Sequence, residues 1–148
     1  MKKILQYLQL TFGQADEAVT HLNISAERCK LFINNENFTE EQLIELEALT
    51  GRFARTSDVL IQKIFKTIDR LDGIASGTAR DRILQAEKNG IISDAKIFIE
   101  IRDKRNTIAH EYELYSLKEI FLFVFQHIPF LKDALEKAKN YSNKFYST

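Results

Sequence analysis

Two residues in the C-terminal half of the chain, Arg105 and His110, have side chains suited to phosphodiester chemistry. An imidazole with an ordinary pKa both accepts and donates protons near neutral pH. A guanidinium binds phosphate and stabilises negative charge that develops on it. The plainer alternatives are an arginine that snorkels or pairs with Glu100, Asp103 or Glu111, and a structural histidine near a helix end. The pair alone does not decide between these interpretations.

Arg105 also interrupts an apolar stripe that has the alternating three- and four-residue spacing of a packed helix face. The stripe is formed by Phe98, Ile101, Ile108 and Tyr112. A permanent charge on such a face costs desolvation energy unless it is paired or meets an anion. The position therefore predicts an interface or a binding role for Arg105.

The segment from Arg105 to Tyr112 contains Arg-Asn, three further residues, His, one residue and Tyr. This pattern resembles the signature of the HEPN superfamily (higher eukaryotes and prokaryotes nucleotide-binding domains), and most closely that of its HepT-like toxin branch. The resemblance implies functional roles for Arg105, His110 and Tyr112, with Asn106 as the polar residue often found after the arginine. The motif covers eight residues, and the helical pattern of the remaining chain agrees with the family fold.

The resemblance implies a metal-independent ribonuclease toxin that acts as a homodimer and is neutralised by a small nucleotidyltransferase-like antitoxin. In this chemistry the ribose 2′-hydroxyl attacks the adjacent phosphate of the RNA and leaves a cyclic phosphate. His110 transfers protons, Arg105 stabilises the pentavalent phosphorane, and a second His110 from the partner serves the leaving group. In the toxin branch the residue that matches Tyr112 receives a nucleotide from the antitoxin. No sequence feature indicates a metal site or another cofactor.

Two other functions are compatible with the same residues. The chain is alternatively a non-catalytic helical subunit that binds nucleotide or substrate for a separate minimal nucleotidyltransferase, or a purely structural interaction module. Convergence of Arg105 and His110 on an open cleft favours the enzyme, whereas their burial in salt bridges favours the non-catalytic subunit.

Helical geometry limits how Arg105 and His110 meet. Five positions at about 100° each place them about 140° apart around an ideal helix. Either the helix ends or distorts between Thr107 and Ala109, or the arginine of one subunit meets the histidine of the other across a two-fold axis. A four-residue spacing places another polar set on one ridge that can line the wall of a cleft: Arg102, Asn106 and His110.

The whole chain, residues 1–148, predicts a single all-α domain, an up-down bundle of about five helices. It has only one proline and five glycines, which favours helices with short connections over a sheet. One broken helix or two are expected over about residues 3–34. Thr39 and Gln42 resemble a capping box that opens a long second helix, and Asp72-Gly73 is expected to end it.

Three further helices are expected in the second half of the chain. A short one spans about residues 78–88 and stops near Gly90, and the next begins near Ala95 with Ser93 or Asp94 as its cap. A long C-terminal helix starts after Ser116, runs to about residue 141 and is kinked by Pro129, because proline removes a backbone donor.

Apolar residues cover nearly every side of that last helix between Ile120 and Leu131. They include four phenylalanines: Phe121, Phe123, Phe125 and Phe130. One intramolecular face does not require so many. The helix is therefore expected to lie in the bundle core, to form a dimer seam, or to do both.

Composition limits the class of protein. Lys plus Arg and Asp plus Glu both total 21, so any RNA contact has to be local. The single cysteine, Cys29, excludes an internal disulfide and is expected to be a buried, unreactive thiol. The N-terminus lacks a sustained apolar segment, and the stretch Ile120–Phe125 falls far short of the roughly 18 to 20 apolar residues of a membrane span. We therefore expect a soluble, cytoplasmic protein without a membrane partner.

Other charged residues are predicted to be structural. Arg55 and Asp58, near Arg52, have the spacing of a solvated ion pair, and His21 and His127 lack ligand partners at i+3 or i+4. Basic residues interleaved with acids predict a mixed surface rather than a basic rim for RNA: Arg80, Arg82, Lys88, Arg102 and Lys104.

Overall fold

The computed structural model describes residues 1–75, 77–110 and 114–146, with the helical backbone alone for 105–110 and 114–116. Over these ranges all regular elements are helical and no strand occurs. The α-helices are α1 (Lys2–Cys29), α2 (Glu40–Asp58), α3 (Lys66–Leu71), α4 (Ala79–Lys88), α5 (Ala95–His110) and α6 (Leu114–Tyr146). A π-helical segment (Val59–Phe65) joins α2 directly to α3. The predicted all-α bundle is confirmed.

Helix α1 is a single helix, and it ends earlier than the region from about residue 3 to residue 34 that the sequence suggested. Its buried residues recur at helical spacing and include Leu8, Phe12, Ala15 and Leu22. After Cys29 the chain continues in turns, in which the Ile33 N–H donates to the Cys29 carbonyl. The apolar stripe of α1 faces the second helix, which is its principal neighbour.

Cys29 is buried at the end of α1 and forms no disulfide. Its thiol donates to the carbonyl oxygen of Glu45 at 3.4 Å. Burial, followed by the negative charge of Glu45, raises the pKa of the thiol to about 11. Since the thiolate is the reactive form, this cysteine is unreactive at neutral pH, as the sequence predicted.

The long second helix begins and ends where local sequence chemistry predicts. The Gln42 N–H donates to Thr39 Oγ1 at 3.2 Å, and the Thr39 N–H donates to Gln42 Oε1 at 3.0 Å, which is a complete capping box. The helical run ends at Gly73, whose φ of 76° is one that residues with a Cβ rarely adopt. The Gly73 N–H donates to the Arg70 carbonyl, as in a helix-terminating motif.

The π-helical segment in the middle of this run is a feature that the sequence did not predict. All of its apolar side chains are buried: Val59, Leu60, Ile61, Ile64 and Phe65. The segment contacts α1, α4 and α6 as well as the two helices that continue from it. Consecutive apolar residues occupy most sides of the helix there, so their spacing does not distinguish an α-helix from a π-helix.

Helices α4 and α5 are also capped by side chains. Thr78 and Asp81 form a capping box at the start of α4, and Gly90, with a φ of 74°, follows its end. The Lys96 N–H donates to Asp94 Oδ1 at 2.9 Å, so Asp94, one of the two expected caps, begins α5.

Helix α6 extends further at both ends than its predicted span, and Pro129 lies inside it. Phe121 is buried in the core, whereas Phe123, Phe125 and Phe130 are half-buried against it. The bundle-core interpretation is therefore confirmed for Phe121, and a dimer seam stays a prediction. Within the described ranges no helix is both long and apolar enough to cross a membrane.

A polar cluster joins α6 to the end of α3. The Tyr141 hydroxyl donates to Asp72 Oδ2, and Lys144 Nζ lies 3.0 Å from Asp72 Oδ1. Asp69 is buried one turn before Asp72. Burial, followed by the negative charge of Asp72, raises the pKa of Asp69 to about 6, although Arg82 acts in the opposite direction. The ionised Asp69 therefore destabilises the folded chain at neutral pH.

We expect Asp69→Asn to stabilise the protein above about pH 6 and to have little effect below about pH 4. Because the folded pKa exceeds the unfolded value of 3.8, the folded state binds more protons between these values. Neutral Asp69 contributes to the stability of the folded state. This contribution is fully present below the unfolded pKa and is lost as the pH rises through the folded pKa. The expected gain at pH 8 is about 1–3 kcal/mol in the free energy of unfolding, measured by urea denaturation.

The control is Asp133→Asn, which removes an exposed acid that pairs with Lys137 on α6. This variant should keep the pH dependence of the wild type over the same range. If Asp69→Asn and the wild type show parallel stability curves, the acid does not titrate as described.

Candidate functional site

The helix that carries the predicted site residues, α5, is anchored in the core by its first half. Phe98 and Ile101 are buried, at 2% and 0% exposure. The Phe98 ring packs on Phe65 of the π-helical segment, with ring centroids 6.1 Å apart and planes at 49°. The described part of the predicted apolar stripe is thus confirmed, and it fixes the direction in which α5 leaves the core. The side chains of Arg105 and Ile108 lie outside the described part.

Helix α5 continues without interruption through His110. Of the two alternatives, a break of the helix between Thr107 and Ala109 does not occur, and a meeting across a two-fold axis stays a prediction. On an unbroken helix the positions of Arg105 and His110 are about 140° apart around the axis, so they do not share a face within one chain. The side chains of Arg105, Asn106 and His110, and the whole of Tyr112, lie outside the described residues.

Arg102 and Lys104 are the last described side chains of α5 that carry positive charge. Arg102 is half-buried and occupies the ridge that Asn106 and His110 continue at four-residue steps. Among the side chains that the structure describes, no acid pairs with Arg102. Lys104 is exposed, and its Nζ lies 5.9 Å from the ring centroid of Phe123 on α6, within the range of a cation–π contact. Both cations precede the motif directly.

Phe123 belongs to a stack of three half-buried rings on α6, spaced at i, i+4 and i+7. His127 stacks on Phe123 at 3.9 Å and on Phe130 at 5.4 Å between ring centroids, with interplanar angles of 22° and 28°. His127 Nδ1 also lies 2.7 Å from the Phe123 carbonyl oxygen. These contacts confirm the structural role predicted for His127. We call Phe123, His127 and Phe130 the aromatic stack.

The contact between Lys104 and the aromatic stack was not predicted from the sequence. The spacing of Phe123, His127 and Phe130 predicts that the rings share one side of a helix. Which cation lies over them depends on how α5 and α6 pack, which no local pattern reports. The ring of Phe123 is stacked on His127 and lies beneath Lys104, so this contact joins α5 to α6.

Three other charged or titratable residues that the sequence brings to notice contact neighbouring protein groups. Arg52 donates to the His21 carbonyl at 3.0 Å and to Ser25 Oγ at 2.8 Å, so it fastens α2 to α1. His21 is exposed, and its Nε2 lies 3.9 Å from Glu17. Arg82 is buried and donates to Gln62 Oε1 at 2.7 Å, so it does not belong to a surface rim.

Within the described residues, no group of three or more His, Cys, Asp or Glu side chains is arranged to hold a metal ion. No protein-family model matches the chain, and no curated protein matches it significantly. The HEPN resemblance therefore stays a prediction that rests on the motif from Arg105 to Tyr112.

We expect Phe98→Ala to lower the free energy of unfolding by about 3–5 kcal/mol, because it removes a buried ring and leaves a cavity beneath α5. The matched control is Leu31→Ala, which truncates a side chain that is 87% exposed and should change stability by less than about 0.5 kcal/mol. Both are measured by urea denaturation. Equal stability of the two variants would show that Phe98 does not anchor α5.

Proposed function

We propose that this chain is a HEPN-type ribonuclease toxin of the cytoplasm that acts as a homodimer and is neutralised by a small nucleotidyltransferase-like antitoxin. One observation carries the proposal. The combination of arginine, asparagine, histidine and tyrosine from Arg105 to Tyr112 begins on the outer half of a helix that the core anchors. The all-helical architecture agrees with the proposal.

Arg102 and Lys104 carry the positive charge at this end of α5, where the acids Glu100 and Asp103 are interleaved with them. Arg102 has no acidic partner among the described side chains, and Lys104 contacts an aromatic ring rather than a carboxylate. The guanidinium of Arg102 has N–H donors of the kind that bind an anion. Because the chain has no net charge, these local cations are what attracts an RNA phosphate at this place.

The proposed reaction is a transesterification that needs no metal ion. The ribose 2′-oxygen forms a bond to phosphorus as its proton passes to one His110. The bond from phosphorus to the 5′-oxygen then breaks, and that oxygen takes a proton from His110 of the partner subunit. Arg105 stabilises the charge on the phosphorane oxygens. The products are a 2′,3′-cyclic phosphate and a 5′-hydroxyl.

The course of α5 favours a site shared between two subunits. A continuous helix separates the positions of Arg105 and His110 by about 140°, so one chain does not direct both at one phosphate. A two-fold axis beside the outer half of α5 brings the arginine of one subunit to the histidine of the other.

Tyr112 gives the site its proposed control. Transfer of a nucleotide to Tyr112 by the antitoxin adds bulk and negative charge beside the cleft, which repels RNA.

We expect His110→Ala to reduce RNA cleavage by about 10²- to 10⁴-fold, because it removes the group that transfers protons. The assay incubates purified protein with a short RNA in the presence of a chelator and identifies the cyclic phosphate by mass spectrometry. Inducible expression of the wild type should arrest growth, whereas expression of His110→Ala should not.

The matched control is His21→Ala, which removes an exposed histidine of α1 and should retain wild-type cleavage. If neither the wild type nor the variant cleaves RNA and both allow equal growth, the toxin proposal fails. In that case, tight binding of a nucleotidyltransferase would favour the non-catalytic subunit.

A subunit-mixing experiment tests the shared site. We expect co-refolded mixtures of wild type and His110→Ala to lose activity as the square of the wild-type fraction, because one cleft uses a histidine from each subunit. A linear decline would show that each site needs only one His110 and would contradict a cleft that uses a histidine from each subunit. Mixtures of wild type with His21→Ala, which should stay fully active, control for losses during refolding.

A further inference from the structure

A cleft of about 390 Å³ lies between the first turns of α1 and the helix formed by the π-helical segment and α3. Its volume is within the range of ligand pockets in proteins. None of the described residues that line it belongs to α5 or α6, so it is separate from the proposed ribonuclease site. We call it the cationic cleft, because the charged residues of its described lining are all positive: Lys3, Lys66 and Arg70.

These three cations are not neutralised. Within the described part of the chain no ion pair or hydrogen bond engages their charged groups, whereas Lys137, Lys139 and Lys144 each pair with an aspartate. Helix α1 has no acidic residue before Asp16, and the π-helical segment has none. The two nearest acids along α3 are Asp69, which is buried, and Asp72, which Tyr141 and Lys144 engage. Asp69 is ionised at neutral pH and offsets part of this charge, but the three cations outnumber it, so the potential in the cleft stays positive.

Gln62, from the π-helical segment, adds a hydrogen-bond donor. Its amide oxygen accepts from the guanidinium of buried Arg82 at 2.7 Å. Arginine has no acceptor, so the atom that faces it has to be the oxygen of Gln62. The N–H₂ group is the part of the Gln62 amide that Arg82 does not engage. The cleft is rich in donors, which is the chemistry of an anion site.

Tyr7 supplies the one aromatic ring of the cleft lining that is described. It is 44% exposed, although it lies on α1 only one turn from Lys3. An exposed ring one turn from a cation suits a ligand that joins a planar ring to phosphate groups.

We propose that the cationic cleft binds a small ligand with two or more adjacent phosphate groups, held by Lys3, Lys66 and Arg70. A nucleoside triphosphate and an inorganic polyphosphate share this chemistry. Tyr7 distinguishes them, because only the nucleotide has a base to stack on its ring. The proposal does not rest on ribonuclease activity.

The test is isothermal titration calorimetry of the full chain with ATP, inorganic triphosphate and adenosine as separate probes. ATP and triphosphate should bind and adenosine should not, and binding should weaken as salt is added. The double variant Lys66→Gln/Arg70→Gln should raise the Kd for both phosphate ligands by about tenfold or more. The variant Tyr7→Ala should weaken ATP alone if the nucleotide is the preferred ligand, and should leave both unchanged if the phosphates suffice.

The matched control, Lys30→Gln/Lys132→Gln, makes the same change in net charge at exposed positions away from the cleft and should bind as the wild type does. His110→Ala should also bind as the wild type does, which separates this site from the ribonuclease site. Circular dichroism verifies that each variant is folded. The proposal is overturned if neither ATP nor triphosphate binds, if an RNA oligonucleotide binds instead, or if the cleft and control variants lose affinity equally.

Discussion

The burial of the π-helical segment at the centre of the bundle is the constraint on which the remaining packing depends. A helix surrounded by neighbours needs apolar residues on most of its circumference, and this segment has five in seven positions. It contacts α1, α4 and α6, and through Phe65 it also reaches Phe98 of α5. Its two polar residues, Gln62 and Lys63, lie at the edge of this contact region. The position of the helix that carries the motif is thus set from the centre of the molecule.

The helix ends that carry a cap could be predicted from the sequence, whereas the ends of α1 and α6 and the π-helical segment could not. Capping depends on residues only a few positions apart, so Thr39 with Gln42 and the glycines at 73 and 90 mark the ends of helices without any knowledge of the fold. In the segment from Val59 to Phe65 the apolar residues are nearly continuous, and hydrogen bonding there responds to tertiary packing. Helix α6 is also longer than the span that the sequence predicted.

Some of the candidate functional residues could be predicted from the sequence and others could not. The motif from Arg105 to Tyr112 is a local pattern and is visible in the sequence alone. The contact of Lys104 with Phe123, and the meeting of Lys3 with Lys66 and Arg70, join residues that are far apart in the chain. The periodicity of apolar and polar residues in the sequence does not predict such contacts. The absence of acids from the first half of α1 is the one sequence feature that indicates an unpaired positive region.

The chain balances 21 basic against 21 acidic residues, so a positive potential arises only where cations remain unpaired. Three lysines of α6 each form an ion pair with an aspartate. Lys3, Lys66, Arg70 and Arg102 are among the described cations that have no acidic partner. Such local charge acts over about one Debye length, roughly 8–10 Å at moderate ionic strength. It therefore selects compact phosphate groups at defined places, whereas a uniformly basic surface would hold nucleic acid along its whole length.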